Sequence, residues 1–559
     1  MTRSYWDKVL KNRIARRRIL QGGAGLGLSA AALVALGCGD DDDDDDGGSG
    51  AGGGDNGDAQ PGGTLRFGLS SDLTSLEPHV FILAHGDSIN QVWDTMTFYD
   101  ENLQPQPWLA ESWDINDNFT EIVLKLRQGV QFHSGRELTS EDVVFNTDRV
   151  RAEGTAFGQL RAFAALYDSI EAPDPTTVVF KSAIPRPATF DFFERFLIGD
   201  KDTLDQDATV AVGTGAFMLG EWRPGDQFNL LKNPNYWDSG RPLLDEQVYS
   251  VSLDSQTMVS QFEAGGLDVT IRPPIRDFVR FRDSSDYQAL AHPTPGAYYA
   301  VGWNSVGSGG TPPEFRDRRV RQALNWALNR EYFAETIMQG IVEPYALPWP
   351  ESSVAYEEEK VNRYSFDLDK ARELFAEAGV DPASLSFSMI MTPENAELQE
   401  FAQAHQADLA ELGIKTEIEV VETAAFVERI NGDPPNYNGM WVANASLSNM
   451  AAPITMVNFT NVLYGPEVGG EFEGVTYGDN NTGYYNPAWS DLVAAINSEG
   501  DQGRLEDLYS QMNDFLLDDS WIGFLATRPP RIALQGNIRG VTHWPARDGF
   551  RYLDAWIES

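Results

Sequence analysis

The stretch from residue 108 to residue 150 constrains the fold more than any other part of the chain. It reads WLAESWDINDNFTEIVLKLRQGVQFHSGRELTSEDVVFNTDRV. Apolar residues occupy every second position of 122–127, which predicts a strand with one buried face. Thr139 then precedes Asp142 by three residues, a spacing typical of a capped helix start. Apolar residues at helical spacing in 143–150 predict a helix with one buried side.

The same stretch carries four motifs in a fixed order. They are L-A-x-S-W at Leu109–Trp113, L-R-x-G-V at Leu126–Val130, F-H-x-G at Phe132–Gly135 and L-T-x-E-D-V-V-F at Leu138–Phe145. This series resembles the signature of the family 5 extracellular solute-binding proteins. That family delivers oligopeptides, dipeptides, nickel and some oligosaccharides to ABC importers.

Three later blocks carry the same resemblance. They are GTGAFMLGEWRPGDQFNLLKNPNYW at 213–237, with Ala216 in place of the usual Pro, QFEAGGLDVT at 261–270 and PEFRDRRVRQAL at 313–324. The resemblance implies an α/β, bilobal fold of the periplasmic-binding-protein type II-like class. It is the large three-subdomain form, in which hinge strands join the two lobes. Within the last block we interpret Arg318, Arg319 and Arg321 as surface residues that form salt bridges.

The N-terminus is typical of an export signal, which we assign to residues 1–37. Arg16 and Arg17 precede RILQ, which resembles a twin-arginine pattern. The uncharged stretch from Gly22 to Gly37 has about 15 residues, fewer than the roughly 20 that span a bilayer. It therefore fits the apolar region of a signal peptide. An uncleaved membrane anchor is the alternative.

Cys38 is the only cysteine of the chain and follows Ala35-Leu36-Gly37. This arrangement resembles a bacterial lipobox, with Ala35 where a Leu is usual. The resemblance implies an acylated Cys38 that holds the protein at the outer face of the cell membrane. A buried, inert thiol is the alternative. One cysteine also excludes an intrachain disulfide and a cysteine-based zinc site.

The remaining chain divides by composition and by the resemblance. Residues 38–62, rich in Asp and Gly, predict a flexible tether. The resemblance implies that lobe I comprises residues 63–299 and 523–559 and that lobe II comprises 300–522. The chain is expected to cross between the lobes at Tyr298–Asn304 and at Trp521–Thr527. Lobe II alternates helices, predicted at Phe366–Gly379 and Asn395–Leu412, with a strand at Thr416–Val421.

Charge and motif content exclude several functions. The formal net charge is −42, which argues against binding nucleic acid or an anionic membrane through a basic patch. None of the six histidines has another histidine at i+3 or i+4, and no H-E-x-x-H or G-x-S-x-G occurs. We expect neither metal, cofactor nor catalytic site. A secreted hydrolase is the remaining enzyme hypothesis.

The resemblance also points to ligand contacts in lobe II. Peptide-binding relatives hold the ammonium of the peptide with an Asp a few residues after a Trp. Here Trp441 takes the place of the Trp and Asn444 that of the Asp. Dipeptide binders grip the carboxylate with an Arg before the helix at 395–412, and Thr392 stands at that position. Because both charged anchors are absent, a dipeptide is disfavoured.

Two ligand classes therefore remain open: a longer peptide held through its backbone, and a neutral oligosaccharide. Aromatic platforms and amides would suit a sugar. The predicted ligand-binding residues are Tyr299, Trp303, Asn304, Trp349, Thr392, Trp441 and Asn444. For each tryptophan, a place in the hydrophobic core is an equal alternative.

These observations predict an extracytoplasmic, monomeric, lipid-anchored protein that captures an oligopeptide-like solute. The resemblance implies that it delivers the solute to an ABC permease and its ATPase. A chemosensory or chaperone-like binding protein without a transporter is a further alternative. The resemblance further implies that two lobes close on the ligand by a hinge motion.

Overall fold

The computed structural model of the chain describes residues 59–559 except 70–71, 74, 81–85, 153–157, 205–209, 253, 293–296, 352, 394, 431, 433, 447–485 and 548. The predicted signal, Cys38 and the tether up to residue 58 lie outside the described residues. Residues Pro61–Ser559 form one compact unit.

The strands are numbered in chain order. They are β1 Thr64–Leu69, β2 Thr97–Tyr99, β3 Pro105–Pro107, β4 Ala110–Ile115, β5 Glu121–Leu126, β6 Ser169–Asp174, β7 Thr177–Lys181, β8 Phe217–Arg223, β9 Gln227–Lys232, β10 Glu246–Val251, β11 Val269–Ile271, β12 Tyr287–Ala291, β13 Ala297–Trp303, β14 Ser386–Met391, β15 Lys415–Val420, β16 Gly439–Ser446, β17 Ile522–Thr527, β18 Arg531–Gln535, β19 Ile538–Arg539, β20 Thr542–His543, β21 Phe550–Arg551 and β22 Trp556–Ile557.

The α-helices follow the same convention. They are α1 Ser140–Arg151, α2 Gly158–Ala164, α3 Thr189–Arg195, α4 Ser255–Glu263, α5 Ile275–Arg282, α6 Arg318–Trp326, α7 Glu358–Val361, α8 Leu368–Ala378, α9 Ala396–Glu411, α10 Thr423–Ile430, α11 Pro487–Ser498 and α12 Gln502–Asp519. Short 3-10 turns occur at Ile89–Val92, Pro313–Arg316 and Pro382–Ser384, and a π-helical segment at Tyr332–Ile337.

Three sheets of four or more strands organise the described residues. A seven-stranded mixed sheet has the order β12-β18-β11-β1-β10-β9-β8, and an antiparallel sheet has the order β4-β5-β7-β6. A five-stranded sheet has the order β15-β14-β16-β13-β17. In it, β14 pairs in parallel with both β15 and β16, whereas β13 runs antiparallel to β16 and β17. The mixture of helices and sheets confirms the predicted α/β class.

The two faces of the five-stranded sheet are covered by different helices. Along β13, Tyr299, Val301 and Trp303 face a core that contains residues of α6, α8 and α9. Tyr298 and Ala300 face the opposite core, to which α11 and α12 contribute. This alternation follows from the two-residue period of a strand. Because both faces are covered, β13 and β17 are apolar nearly throughout.

The stretch at 108–150 forms the predicted elements. β5 supplies the predicted strand, and Ile122, Leu124 and Leu126 are buried. α1 begins after Thr139, and the Asp142 carboxylate accepts a hydrogen bond from the Thr139 amide at 3.0 Å. The helix therefore begins where the capping pattern predicted it.

The predicted lobe II helices are present as α8 and α9. Asp367 caps α8 by accepting a hydrogen bond from the Lys370 amide, and Gly379 ends it with a φ of 71°, a conformation that favours glycine. The predicted strand at Thr416–Val421 is β15, one residue earlier. These segments fold as predicted because their caps and apolar periods agree.

One interpretation of a charged residue was wrong. Arg321 is buried, not on the surface, and its guanidinium donates hydrogen bonds to the carbonyls of Phe315 at 2.8 Å and Asp519 at 2.8 Å. Arg319 does form a salt bridge with Asp317, as expected of a surface arginine. The difference arises because Arg321 lies on the side of α6 that faces the turn before it and the end of α12.

The sheet membership of the strands shows where the chain passes between the five-stranded and the seven-stranded sheet. β13 and β17 belong entirely to the five-stranded sheet, whereas β18 belongs to the seven-stranded sheet. By sheet membership the chain therefore crosses between Ala291 and Ala297 and again between Thr527 and Arg531. At the crossings, the His292 amide donates a hydrogen bond to the Pro530 carbonyl at 3.3 Å.

Candidate functional site

Several strands of the five-stranded sheet end or begin along the same side of the sheet. We call this row of strand ends the edge. β14, β16 and β17 all end at this edge, and the antiparallel β13 begins there. In open α/β sheets, the carboxyl ends of parallel strands are the usual place for a ligand. The edge adjoins both crossings to the seven-stranded sheet. The topology therefore marks it as the candidate site.

Tyr299 and Asn444 are neighbours at this edge. They are paired across β13 and β16, so their side chains lie on the same face of the sheet. The Asn444 amide nitrogen donates a hydrogen bond to Asn395 Oδ1 at 3.0 Å, and Asn395 immediately precedes α9. Thr392 follows the last residue of β14 and is half-buried. The structure therefore brings three of the predicted residues, Tyr299, Thr392 and Asn444, to one edge.

An ion pair joins the seven-stranded sheet to this edge. Arg531, the first residue of β18, places Nη2 2.6 Å from Oε1 of Glu397 in the first turn of α9. The two side chains are only 8% and 14% exposed. Arg531 Nε also donates a hydrogen bond to the Pro273 carbonyl at 2.9 Å. The pair thus lies between the two sheets, largely out of solvent.

The charges at the edge shift the titration of their neighbours. Burial raises the pKa of the Tyr299 phenol, and the guanidinium of Arg531 opposes that rise. Burial alone would lower the pKa of Arg531, but Tyr299 and Glu397 outweigh it, so this pKa is raised. Arg531 therefore stays charged, and its charge is balanced by Glu397.

Trp303 and Asn304 lie at the far end of β13. They are four and five residues beyond Tyr299, about 15 Å along a strand at ~3.3 Å per residue. Both are fully buried, and Asn304 Nδ2 donates a hydrogen bond to the Tyr437 carbonyl at 2.8 Å. Trp303 packs in the core beneath the sheet. The structure does not bring this pair to the edge that holds Tyr299.

Trp349 and Trp441 belong to the core on the opposite face of the sheet. Trp349 Nε1 donates a hydrogen bond to Asn513 Oδ1 at 2.6 Å. The Trp441 indole lies against Gly302, its partner across β13 and β16. Because Asn444 is three positions after Trp441 in the strand, the two side chains point to opposite faces. For the three tryptophans, the structure matches the alternative of core packing, whereas Asn304 is a buried polar residue that bonds to the Tyr437 carbonyl.

Sequence reasoning missed Asn395, Glu397 and Arg531. A Glu in the first turn of a helix, and an Arg after two prolines, are both typical of solvent-exposed positions. The hydrogen bond between Asn395 and Asn444 joins residues 49 apart in sequence. No local pattern signals such contacts, since they depend on how α9 packs against the sheet.

The described part of the chain contains no group of three or more His, Cys, Asp or Glu side chains that could hold a metal ion. Within the same residues, no helix has both the length and the apolar character needed to cross a bilayer.

Comparison with known proteins gives a consistent result. The family model of bacterial extracellular solute-binding proteins, family 5 Middle, matches residues 104–461. The oligopeptide-binding protein AppA of Bacillus subtilis (strain 168) is 26% identical over 501 residues, which is 85% of this chain and 88% of AppA. Heme-binding protein A of Haemophilus influenzae is 26% identical over 428 residues, which is 68% of this chain and 75% of that protein.

Solved structures share the fold. The binding protein AgaA of A. tumefaciens R10, in complex with agropinic acid, superposes with a TM-score of 0.75 at 24% identity, covering 89% of this chain and 99% of AgaA. B. subtilis AppA, in complex with a nonapeptide, superposes with a TM-score of 0.74 at 24% identity, covering 90% of this chain and 100% of AppA. These likenesses confirm the bilobal periplasmic-binding-protein fold that the resemblance implied. On the family match, which spans well over half of its residues, the chain belongs to the family 5 bacterial extracellular solute-binding proteins.

Proposed function

We propose that this protein captures an oligopeptide-like solute outside the cytoplasm and delivers it to an ABC permease with its ATPase. The family supplies the general role, and AppA, an oligopeptide-binding protein that has been seen with a nonapeptide, favours a peptide. The observation that carries the proposal is the polar edge of the five-stranded sheet, where Tyr299, Asn395 and Asn444 meet beside both chain crossings.

The proposed site comprises Tyr299, Thr392 and Asn444, which the sequence predicts, together with Asn395, Glu397 and Arg531. Two lobes would close over it, with the boundaries between 291 and 297 and between 527 and 531. The crossings are then the hinge. Ligand contacts with both lobes would favour the closed state that the permease recognises.

A neutral oligosaccharide is the less favoured ligand. That alternative relied on Trp303, Trp349 and Trp441 as stacking platforms, but all three are packed within cores. A sugar platform requires an exposed aromatic face. A hydrolase is likewise less favoured, because the named relatives are binding proteins.

Export and anchoring belong to the same proposal and rest on the sequence. Arg16 and Arg17 would direct export, and Cys38 would carry the lipid that holds the monomeric protein at the outer face of the membrane. Mass spectrometry of the mature N-terminus checks this directly: a diacylated cysteine at position 38 supports it, and an unmodified one contradicts it. Cys38→Ser is the matched variant and should release the protein from membranes.

Mass spectrometry of the molecules that co-purify with the full chain tests the ligand class. Denaturing the native protein releases them, and thermal shifts with each species follow. A set of peptides is the expected result. Hexose-containing species without peptides would contradict it, and turnover of an added peptide or glycoside would reveal a hydrolase.

A further inference from the structure

Asn395 occupies a helix-capping position but does not cap its helix. It precedes α9 with an extended backbone, at φ −113° and ψ 92°, where an Asn side chain ordinarily accepts a hydrogen bond from the first turn. Its side chain makes no such bond. It turns instead towards β16, where Asn395 Oδ1 accepts a hydrogen bond from Asn444 Nδ2 at 3.0 Å. The helix start gives up a stabilising contact in favour of the contact with Asn444.

The two primary amides leave a defined pair of groups unused. Each amide has a carbonyl oxygen and an NH₂ group, and the bond between them uses one of each. Asn444 Oδ1 and Asn395 Nδ2 then remain available, and neither makes a further hydrogen bond within the described residues. Exchanging oxygen and nitrogen in both amides preserves the result. In either assignment the pair retains one carbonyl oxygen that can accept a hydrogen bond and one NH₂ group that can donate one.

This combination complements a peptide backbone, whose N–H groups can donate to the free oxygen and whose C=O groups can accept from the free NH₂ group. Both asparagines are half-buried, so the groups are accessible yet shielded from bulk water. Hydrogen bonds gain strength in such surroundings. The pair is thus suited to bind a secondary amide.

The nearby carboxylate does not offer an anchor for a cation. Glu397, two residues after Asn395, is engaged with Arg531 at 2.6 Å. A ligand ammonium placed here would have to displace that guanidinium, or else would remain without a counter-ion. The charge at the edge is therefore balanced before any ligand arrives, and an uncharged group is favoured.

We propose that Asn395 and Asn444 form an amide pair that binds a peptide group of the ligand, so that the protein selects an internal peptide bond or an N-acylated terminus over a free ammonium. This inference rests on the proposed function, and it specifies which chemical group of the ligand the site selects.

Capture of a peptide pool tests the inference. The full-length protein is incubated with a random nonapeptide pool in free-amine and N-acetylated halves, and the bound members are counted by mass spectrometry. The wild type should enrich the acetylated half at least ~10-fold, about 1.4 kcal/mol. Asn444→Asp places a carboxylate at the edge and should shift enrichment towards the free-amine half.

Two further variants separate binding from folding. Asn395→Ser keeps a capping residue but is too short to reach Asn444, so capture should fall ~10-fold while the thermal midpoint is retained. Asn362→Ala, at an exposed helix end, is the matched control and should leave capture unchanged. Two results would contradict the amide pair but not the proposed function. They are a preference of the wild type for free amines, and unchanged capture by both Asn444→Asp and Asn395→Ser. Capture of neither half would overturn the proposed function as well.

Discussion

Arg531 and Glu397 connect the seven-stranded sheet to helix α9 through an ion pair of 2.6 Å. Arg531 begins the strand that follows a chain crossing, so the pair lies beside the point about which the two halves would rotate. Atoms near a rotation axis move little. The pair would therefore persist while more distant surfaces separate, and it would stabilise the hinge proposed above.

Replacing Glu397 with Gln should destabilise the protein. The change leaves the Arg531 charge, 8% exposed, without its counter-ion, at a cost of about 2–4 kcal/mol of unfolding free energy. Urea unfolding measures the loss. Glu373→Gln is the matched control, because its partner Lys370 and Glu373 itself are exposed, and it should change stability by about 0.5 kcal/mol or less. Equal effects of the two variants would contradict the buried role of Glu397.

Gly302→Ala should destabilise the five-stranded sheet. A Cβ at this position would come within 3.0 Å of three atoms of the Trp441 indole, which covers the glycine from the next strand. Overpacking of this kind costs about 1–3 kcal/mol. Gly500→Ala, where the surroundings are open, is the neutral control.

A double variant, Gly302→Ala with Trp441→Phe, tests why Gly302→Ala lowers stability. The phenylalanine ring is smaller than the indole and leaves room for the added Cβ. If the clash with the indole is responsible, the two substitutions together should cost less than the sum of their separate effects. Strict additivity in urea unfolding would show that Gly302 is required for another reason.

Trp349→Phe should lower stability and leave ligand capture unchanged. The variant loses the hydrogen bond from Trp349 Nε1 to Asn513 and leaves a gap in a packed core, at a cost of about 1–3 kcal/mol. Urea unfolding and peptide capture are measured on the same sample. Normal stability with impaired capture would instead make Trp349 a ligand contact, as the sequence had allowed.

His405 should make stability depend on pH. It is buried in α9, stacked on Phe401, and burial lowers its pKa to about 4. In the unfolded chain the pKa is about 6.5. As the pH falls from 6.5 to 4, the unfolded state takes up a proton that the folded state does not, so stability is lost, by about 3 kcal/mol in total.

The substitution His405→Leu isolates that contribution. The difference in unfolding free energy between pH 7 and pH 4.5 should be smaller in the variant than in the wild type, because the variant has no imidazole to titrate. An identical pH dependence in both proteins would show that other groups account for it.

The local elements and the family could be predicted because their signals are short in range. The start of α1 follows from Thr139 and Asp142, and the end of α8 from Gly379. Caps and apolar periods act within a few residues, so the sequence contains all the information they need. The motifs between residues 109 and 145 identified the family for a similar reason, since many matched positions stand in register.

The candidate site could be predicted only in part. Of the seven predicted residues, Tyr299, Thr392 and Asn444 lie at the edge that forms the candidate site, whereas Trp303, Asn304, Trp349 and Trp441 pack elsewhere. A tryptophan side chain is suited both to line a cleft and to fill a core, so the residue type does not show which it does. Only the direction of its side chain from the strand distinguishes the two.

The sequence by itself determined the elements, the α/β class and the family, because local propensity and motif order are written along the chain. The tertiary structure decided which residues share the candidate site. It paired Asn395 with Asn444 and Arg531 with Glu397, residues 49 and 134 apart. Such pairs depend on strand order and on the packing of α9 against the sheet, and neither is encoded by any short stretch of sequence.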